Sequence, residues 1–426
     1  ATPVPEREIG RPAVSVTVLD ATMSAPDPAE RRIATRAADR IAGLLAREGL
    51  AVRRMTEETL IQRGAPDRLV LLPYNPALPP AAQRRLRAHL EHGGHLIVFY
   101  SASAELAAAM GFELEPPARA DAGAWSEIVF ARDRPALLPD RIRQSSRILR
   151  PARPAAPDAR LLARWEDPDG VLPPKPAWSL SARGAWMSHV LQEGESDSRR
   201  RLLLGLAAHF EPRVLQAAAA QAVARAGAAA PYDTGDALLA AWRRKPGLGP
   251  IAASGFAAER NALAALYRQG RYAETLVREA RLGASLAAAC ARAVPPAAGE
   301  FRAVWNHSGL GLVPGTNGWA QTARRLAEHG FHAVFPQAAW AGAVLYPGGR
   351  LPQSEAGRAA GDPLGACCQA AREAGLAVHA WKICWSLGPA PAAAVERLRA
   401  AGRLQVNAVG ETLPWLCPSQ RENVES

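Results

Sequence analysis

Short apolar runs alternate with amphipathic helical segments over residues 14–112, and this alternation constrains the fold more than any other feature. The strand-like runs are VSVTVL (14–19), RLVLLP (68–73) and HLIVFY (95–100), and each precedes a helical pattern. Gly49 stands where the first helix would stop, after apolar residues spaced as on one helix face: Ile33, Ala37, Ile41, Leu44 and Leu45. Such alternation predicts an α/β fold with a flavodoxin-like, doubly wound N-terminal domain.

Residues 125–210 are expected to complete this domain. SEIVFA (126–131) and GAWMSHVL (184–191) are interpreted as edge strands, followed by a helix at 199–210. This half resembles the class I glutamine-amidotransferase-like fold, in which a strand-turn-helix elbow carries a catalytic cysteine. Here the elbow falls at residues 100–103 and holds no cysteine. Two interpretations stay open: a non-catalytic domain that keeps the scaffold, or a hydrolase that uses Ser101 or Ser103.

Residues 213–299 are rich in alanine and helical in period. Pro231 and the run KPGLGP (245–250) interrupt them, and VPPAAGE (294–300) marks a boundary. We therefore predict three parts: an amidotransferase-like domain at 1–212, a helical connector at 213–299 and a third domain at 300–426.

A repeat of 45 residues organises the C-terminal stretch. It aligns two triplets of residues: Glu328, Gly330, Trp340 and Glu373, Gly375, Trp385. A helix end, a glycine stop and an apolar strand thus recur in step, and Asp362 with Pro363 begins the second helix. Consecutive βα units form a doubly wound sheet or a (β/α)8 barrel, and the aromatic loops after the strands favour the barrel.

Ligands of a barrel bind at the carboxyl ends of its strands. In LAVHAWK (376–382), side-chain alternation places His379 and Trp381 on one face and Lys382 on the other. A tryptophan offers a flat plate for a sugar ring, and an imidazole can donate to or accept from hydroxyls. The predicted substrate-binding residues share positions at strand ends or in the loops beyond, with Trp415 expected to end the third unit: Asn306, His307, Gln337, Trp340, Tyr346, His379, Trp381, Lys382 and Trp415. For each, a packing or solvated role is the alternative.

Four segments carry a resemblance to one family: RAVWNH (302–307), GFHAVFPQAAWAGAVLYP (330–347), DPLGACCQAAREAGLAVHAWK (362–382) and WLCPSQREN (415–423). Together they resemble the bacterial glycosyl-hydrolase-like (β/α)8 barrels, an envelope-associated group formerly classed as a domain of unknown function. Some members cleave peptidoglycan glycan strands. The resemblance implies a polysaccharide or oligosaccharide substrate and a cleft at the ends of the first three strands. Many relatives have an Asn-Pro-Tyr-Arg-like run where this chain has residues 382–385.

Glycoside hydrolysis needs two carboxyl groups about 5 to 10 Å apart. A complete barrel needs about 250 residues, and 126 lie between positions 301 and 426. We therefore expect a partial barrel of three βα units. The resemblance implies catalytic acids on later strands, beyond the C-terminal end of this chain. Glu411, in a loop, is the candidate within the chain. The sequence predicts a glycoside hydrolase when full length and an inactive segment alone; the alternative is a non-catalytic carbohydrate-binding or scaffold protein.

The composition of the chain limits which kinds of binding partner are expected. Of the 51 basic residues that set the net charge of +11, all but three are arginines, and they are scattered along the chain. This pattern does not predict nucleic acid as a partner.

No apolar run approaches the roughly 18 residues that span a bilayer. The five cysteines form no CxxC pair, so neither a metal nor a cofactor is expected. The lead ATPVPEREIG (1–10) is typical of a chain whose export signal has been removed, which predicts a periplasmic or extracellular protein. The oligomeric state stays open.

Overall fold

The computed structural model describes residues 14–120, 125–144, 146–167, 172–192, 194, 196–228, 232, 234–243, 249–293, 299–311 and 318–425. The chain divides into two compact units, Ala1–Val294 and Pro295–Ser426. Several sequence features lie outside the described residues: the lead at 1–10, Pro231, most of the boundary at 294–300 and the loop that reaches Asn317.

The first part of the N-terminal unit alternates strands and helices as predicted. Its elements are β1 (Ser15–Asp20), α1 (Pro28–Arg47), β2 (Ala51–Thr56), α2 (Glu57–Arg63), β3 (Leu69–Leu72), α3 (Pro80–Glu91), β4 (His95–Val98) and α4 (Ala104–Ala109). Helix α1 begins where the Asp27 carboxylate accepts from the backbone N–H groups of Ala29 and Glu30. It ends before Gly49, whose φ is +85°. The predicted glycine stop is confirmed.

The second part of this unit is richer in strands and then becomes helical. Its strands are β5 (Phe112–Leu114), β6 (Ala118–Arg119), β7 (Glu127–Phe130), β8 (Arg141–Arg143), β9 (Ile148–Leu149), β10 (Ala152–Pro154), β11 (Arg160–Glu166), β12 (Lys175–Ser181) and β13 (Gly184–Met187). Its helices are α5 (Ser196–Phe210), α6 (Arg213–Ala224), α7 (Gly235–Arg243), α8 (Gly249–Arg268) and α9 (Tyr272–Ala293).

A nine-stranded sheet of order β2-β1-β3-β4-β13-β12-β11-β7-β8 organises this unit. The pairs from β2 through β13 are parallel, and the pairs from β13 to β8 are antiparallel. Side chains alternate between the two faces of the sheet along β3 and β4. Leu71 and Ile97 pack in the core on one face, and Val70, Leu72 and Val98 pack in the core on the other. A sheet buried on both faces is the arrangement that the alternation predicted.

The edge position predicted for GAWM is wrong. Strand β13 lies inside the sheet, parallel to β4, and all four of its residues are buried. In this pairing Ala185 lies in register with Ile97. The two strands are about ninety residues apart in the chain, so no local sequence pattern predicts that they pair. Strand β7 also lies inside the sheet, next to the edge strand β8.

Helices α6 and α9 belong to the same compact unit as the sheet. Helix α6 buries Val214 and five alanines. Four charged side chains from α5, α9 and the ends of α1 and α6 meet: Arg225 lies 2.9 Å from Glu48 and 3.2 Å from Glu279, and Arg200 lies 3.1 Å from Glu279. The Arg200 Nε atom is 3.0 Å from Glu48 without hydrogen-bond alignment. The assignment of 213–299 as a separate connector stays a prediction.

The C-terminal unit contains β14 (Ala303–Asn306), α10 (Trp319–Glu328), β15 (Ala333–Trp340), α11 (Glu355–Ala360), α12 (Pro363–Glu373), β16 (Ala377–Val378), β17 (Trp381–Ile383), α13 (Ala392–Ala400), β18 (Leu404–Val406), β19 (Thr412–Leu416) and α14 (Arg421–Val424). Strand β15 pairs in parallel with β14 on one side and with β16 and β17 on the other. Asp362 caps α12 by accepting from Gly365, as predicted.

The described residues of this unit form three neighbouring parallel strand positions and no closed barrel. Strands β18 and β19 pair with each other in antiparallel fashion. Trp415 therefore lies in a hairpin and bridges to Ser386 in antiparallel orientation. Its expected place at the end of the third βα unit stays a prediction. The tight turn after Val406 reverses the chain before a helix can intervene, and a parallel crossover needs a longer connection.

Candidate functional site

One tripeptide pattern recurs on the three neighbouring strand positions of the C-terminal unit: Ala303-Val304-Trp305, Ala333-Val334-Phe335 and Ala377-Val378-His379. The first two tripeptides pair in register, and Ala333 and Val334 pair with Ala377 and Val378. The valines pack with Trp319, Cys367 and their neighbours on α10 and α12. Because side chains alternate across a strand, the aromatic residues project from the opposite face.

On that face Trp305, Phe335 and His379 stack side by side, and we call these three residues the aromatic row. Ring centroids are 4.8 Å apart between Trp305 and Phe335, at an interplanar angle of 26°. They are 4.9 Å apart between Phe335 and His379, at 17°. The spacing equals the distance between neighbouring strands. Trp305 is 54% exposed, so the row presents apolar ring surface to solvent.

A fourth ring stands at right angles to the row, and a fifth stands at right angles to the fourth. The Trp381 indole lies 5.0 Å from Trp305 at 84°, and the His307 imidazole lies 5.3 Å from Trp381 at 81°. The indole N–H of Trp381 is shielded from solvent and has no hydrogen-bond partner among the described residues. An indole N–H is a donor only, so this buried donor is unsatisfied within the described residues.

The loop after β14 is fixed onto β15. With its amide oriented to satisfy both neighbours, Gln337 donates to the His307 carbonyl (2.8 Å) and accepts from the Trp340 indole (2.7 Å). The Asn306 carboxamide oxygen accepts from the Gly309 N–H at 2.9 Å. Gly309 has a φ of +64°, and a Cβ there would lie 2.0 Å from the Gln337 carbonyl oxygen. Asn306 and Gln337, both buried, thus shape the loop that carries His307.

Together with Trp305 and Phe335, ring contacts and hydrogen bonds join five predicted residues: His307, Gln337, Trp340, His379 and Trp381. Asn306 adjoins them through the loop that it shapes. The structure does not join four others to this group. Within the described residues, no hydrogen bond or ring contact links the group to Tyr346, Lys382, Glu411 or Trp415. Lys382 is exposed, Tyr346 packs near Gly349, and Trp415 is 42% exposed on β19.

Glu411 lies in the turn between β18 and β19. Its carboxylate accepts from the Asn407 amide at 2.8 Å, and its backbone N–H donates to the Asn407 side-chain oxygen at 2.9 Å. This reciprocal pair holds the hairpin turn. A catalytic role for Glu411 stays a prediction.

Sequence reasoning missed Trp305 and Phe335. These two rings lie within β14 and β15, whereas the residues predicted for the site lie at strand ends or in the loops beyond them. The signal was present in the sequence as the tripeptide that ends in Trp, Phe or His on each strand. Aligning the strands by their Ala-Val pairs finds all three members of the aromatic row.

The serines of the N-terminal elbow have structural partners. The Ser103 hydroxyl donates to Gln83 at 2.6 Å and accepts from the Leu106 N–H, so it caps α4. The buried Ser101 hydroxyl accepts from the Ser103 N–H at 3.3 Å. Within the described residues, neither hydroxyl is hydrogen-bonded to a histidine. His189 instead contacts the Val190 carbonyl at 3.0 Å and the Trp165 ring.

Among the described residues, no group of three His, Cys, Asp or Glu side chains is placed to hold a metal ion. No helix in the described part of the chain combines the length and the apolar character of a membrane span.

Neither a protein-family model nor a curated protein sequence matches the chain. Solved structures similar to parts of it include ThuA-like, glutamine-amidotransferase and glycosidase proteins. A ThuA-like protein from Bacteroides uniformis is 11% identical, covers 51% of this chain and 96% of its own, and has a TM-score of 0.38. A glutamine amidotransferase from Thermotoga maritima is 10% identical over 62% of this chain and 95% of its own, with a TM-score of 0.29.

A β-galactosidase from the psychrophile Marinomonas ef1 is 12% identical over 47% of this chain, with a TM-score of 0.33. The chain spans 29% of the length of that enzyme. These likenesses are partial and of low identity.

Proposed function

We propose that the C-terminal unit binds a glycan on the aromatic row, and that the chain is a glycoside-hydrolase-like protein directed at bacterial envelope polysaccharide such as peptidoglycan glycan strands. The observation that carries the proposal is the exposed stack of Trp305, Phe335 and His379 with Trp381 perpendicular to it. An exposed aromatic surface of this kind is a binding surface rather than a core.

A sugar has an apolar face and several hydroxyl groups, and this surface offers rings for the first and polar groups for the second. The apolar C–H face of a pyranose packs on the flat rings, which removes apolar area from water. Its hydroxyls meet the two exposed imidazoles at the edge, His307 and His379. Gln337 holds the loop that carries His307, so we expect it to position that imidazole rather than to touch the sugar.

Hydrolysis requires a pair of carboxyl groups beside the scissile bond. Glu411 is engaged in its hairpin turn with Asn407. We therefore propose that cleavage uses acids supplied from outside residues 300–426, and that this chain by itself binds glycan without turnover. The second candidate function, a carbohydrate-binding protein without any turnover, uses the same surface.

Titration of the 426-residue chain with peptide-free glycan strands tests the binding proposal. Trp305→Ala and Trp381→Ala should each weaken binding about tenfold or more, since each removes a large ring contact. The matched control is Phe301→Ala, another exposed ring of this unit, which stacks on His332 rather than on the row. Equal affinity of Trp305→Ala and the unaltered chain would sink the proposal.

Release of reducing ends separates the two candidate functions. A longer protein that contains this chain should release reducing ends from the same glycan strands if it is a hydrolase. Binding without release, in the chain and in the longer protein alike, establishes the carbohydrate-binding alternative. Loss of release on Glu411→Gln would contradict the assignment of the acids to other segments.

A further inference from the structure

The N-terminal unit contains a large cavity that neither the elbow nor the aromatic row uses. It has a volume of about 1020 Å³ and lies between the loop that joins β7 to β8 and the helices α8 and α9. A smaller cavity of about 350 Å³ shares Leu137, Arg201, Val277 and Arg281 with it, so the two are adjacent. The larger volume is that of a pocket which buries most of a small ligand.

The wall of this cavity is strongly basic. It is lined by six arginines: Arg132, Arg134, Arg201, Arg271, Arg278 and Arg281. Glu259 and Glu274 are its acidic residues, so the formal charge of the lining is 6 − 2 = +4. A concave surface of one sign concentrates ligands of the opposite sign.

Four of these arginines are engaged within the protein. Arg201 donates to the Leu137 carbonyl at 2.9 Å, and Arg134 donates to the Leu138 carbonyl at 3.0 Å. Two more pair with carboxylates, Arg278 with Glu259 at 2.8 Å and Arg271 with Glu274.

Arg132 and Arg281 differ from the other four. Both are exposed, and neither has a hydrogen bond or ion pair with any described residue. They stand on different elements, the β7–β8 loop and α9, and line the same cavity. Two guanidinium groups are therefore available to an anion in the cavity, and arginine forks match phosphate oxygens.

The remaining lining includes apolar side chains: Leu137, Leu138, Leu266, Val277 and Leu282. Leu137 has a φ of +76°, a conformation that bulky residues seldom adopt. The hydrogen bond from Arg201 to its carbonyl holds it there. Backbone strain of this kind is found where a loop is held in shape for a ligand.

We propose that this cavity binds a phosphate-bearing amphiphile, with the phosphate between Arg132 and Arg281 and an apolar chain along the half-buried Leu266 and Val277. A small polar anion would leave these two side chains in contact with water, and a neutral lipid would leave both guanidinium groups without a partner. A ligand with both parts satisfies both surfaces.

Calorimetric titration of the 426-residue chain with dodecyl phosphate, below its micelle concentration, tests this proposal. We expect saturable binding of one molecule. Inorganic phosphate should bind at least about tenfold more weakly because it gains nothing from the apolar lining. Octaethylene glycol monododecyl ether, which is neutral and has no sugar, should bind at least as weakly. Equal binding of inorganic phosphate would overturn the amphiphile, and equal binding of the neutral ether would overturn the anion site.

Two kinds of variant locate the site. R132Q/R281Q should weaken dodecyl phosphate binding about tenfold or more, because two charge-assisted hydrogen bonds are lost. R84Q/R87Q is the matched control: it removes the same charge from exposed positions on α3 and should bind as the unaltered chain does.

Ser285→Trp places a large ring in the cavity from an exposed position of α9 and should also abolish binding. Thermal unfolding verifies that each variant is folded. If R132Q/R281Q is folded and binds as tightly as R84Q/R87Q, the cavity is not the site. Because the glycan titration uses the other unit, failure of either proposal leaves the other standing.

Discussion

At the scale of single residues, glycine at position 309 decides whether the β14 loop can close on β15. Its φ of +64° alone disfavours a side chain, and a Cβ would also lie 2.0 Å from the Gln337 carbonyl oxygen. That oxygen belongs to the backbone and cannot swing away. The geometry of His307 beside Trp381 thus depends on the absence of a single methyl group.

We therefore predict that Gly309→Ala destabilises the C-terminal unit by about 3 kcal/mol and weakens glycan binding. Gly348→Ala is a matched control, since Gly348 has a φ of +78° with no atom within 4 Å of the added Cβ. It should cost about 1 kcal/mol, the conformational part alone. Thermal unfolding and glycan titration of both variants measure the difference, and equal losses would contradict the steric cause.

His189 gives the N-terminal unit a pH-dependent stability. Burial lowers the pKa of His189, and its hydrogen bond to the Val190 carbonyl only partly opposes this. A histidine whose pKa is lower in the folded than in the unfolded state stabilises the fold above the unfolded value and loses that stability as the pH falls. Burial likewise lowers the pKa values of His89, His95 and His209.

We predict that the free energy of unfolding of this unit falls as the pH drops from 7.5 toward 5, starting near the ordinary histidine pKa of about 6.5. His189→Gln should flatten part of this dependence, because glutamine can still donate to Val190 and does not titrate. Urea denaturation followed by the fluorescence of the buried Trp165, Trp178 and Trp186 measures it. A slope unchanged by the substitution would assign the effect to the other histidines.

At the scale of elements, the sequence was informative where structure is local. Helix α1, its glycine stop and the Asp362 cap of α12 all follow from contacts within a few residues, and each was predicted. Strand β13 was misplaced because its partner β4 lies far away in the chain. Strand ends located five of the residues that the structure joins. The stacking of Trp305 on Phe335 depends instead on the register between two strands, and the sequence of one strand does not contain that information.

The four-membered charge cluster joins helices that the sequence could not place together. Side chains of Glu48 and Glu279 are only 6% and 14% exposed, and each lies between Arg200 and Arg225. Burying charges in this way costs solvation, so the cluster is stable only while all its members are paired. It ties α9 to the end of α1 and so to the sheet.

We predict that Glu48→Gln costs about 3 kcal/mol, because both arginines lose a buried partner. Glu396→Gln is the control: it removes an exposed i,i+3 pair with Arg399 on α13 and should change stability little. Urea denaturation of the two variants compares them. Equal stabilities would mean that water replaces the lost carboxylate in the cluster.

At the scale of the whole molecule, each unit has hydrophobic clusters of its own. Two large clusters cover the faces of the nine-stranded sheet, and among the described residues the clusters of the C-terminal unit are built from residues within 304–416. Apolar burial is the main source of cooperativity in unfolding. Two units with separate cores are therefore expected to unfold in separate steps, and each ligand should act on the unit that binds it.

We predict two calorimetric unfolding transitions in the 426-residue chain. Gly309→Ala should lower only one of them and Glu48→Gln only the other, which assigns the transitions to the C-terminal and N-terminal units. A ligand present at one hundred times its Kd stabilises the unit that binds it by about 2.7 kcal/mol. Glycan should therefore raise the first transition alone and dodecyl phosphate the second alone, each by several degrees. A single transition that both ligands shift would show that the units unfold together, and a glycan shift confined to the N-terminal transition would place the sugar site away from the aromatic row.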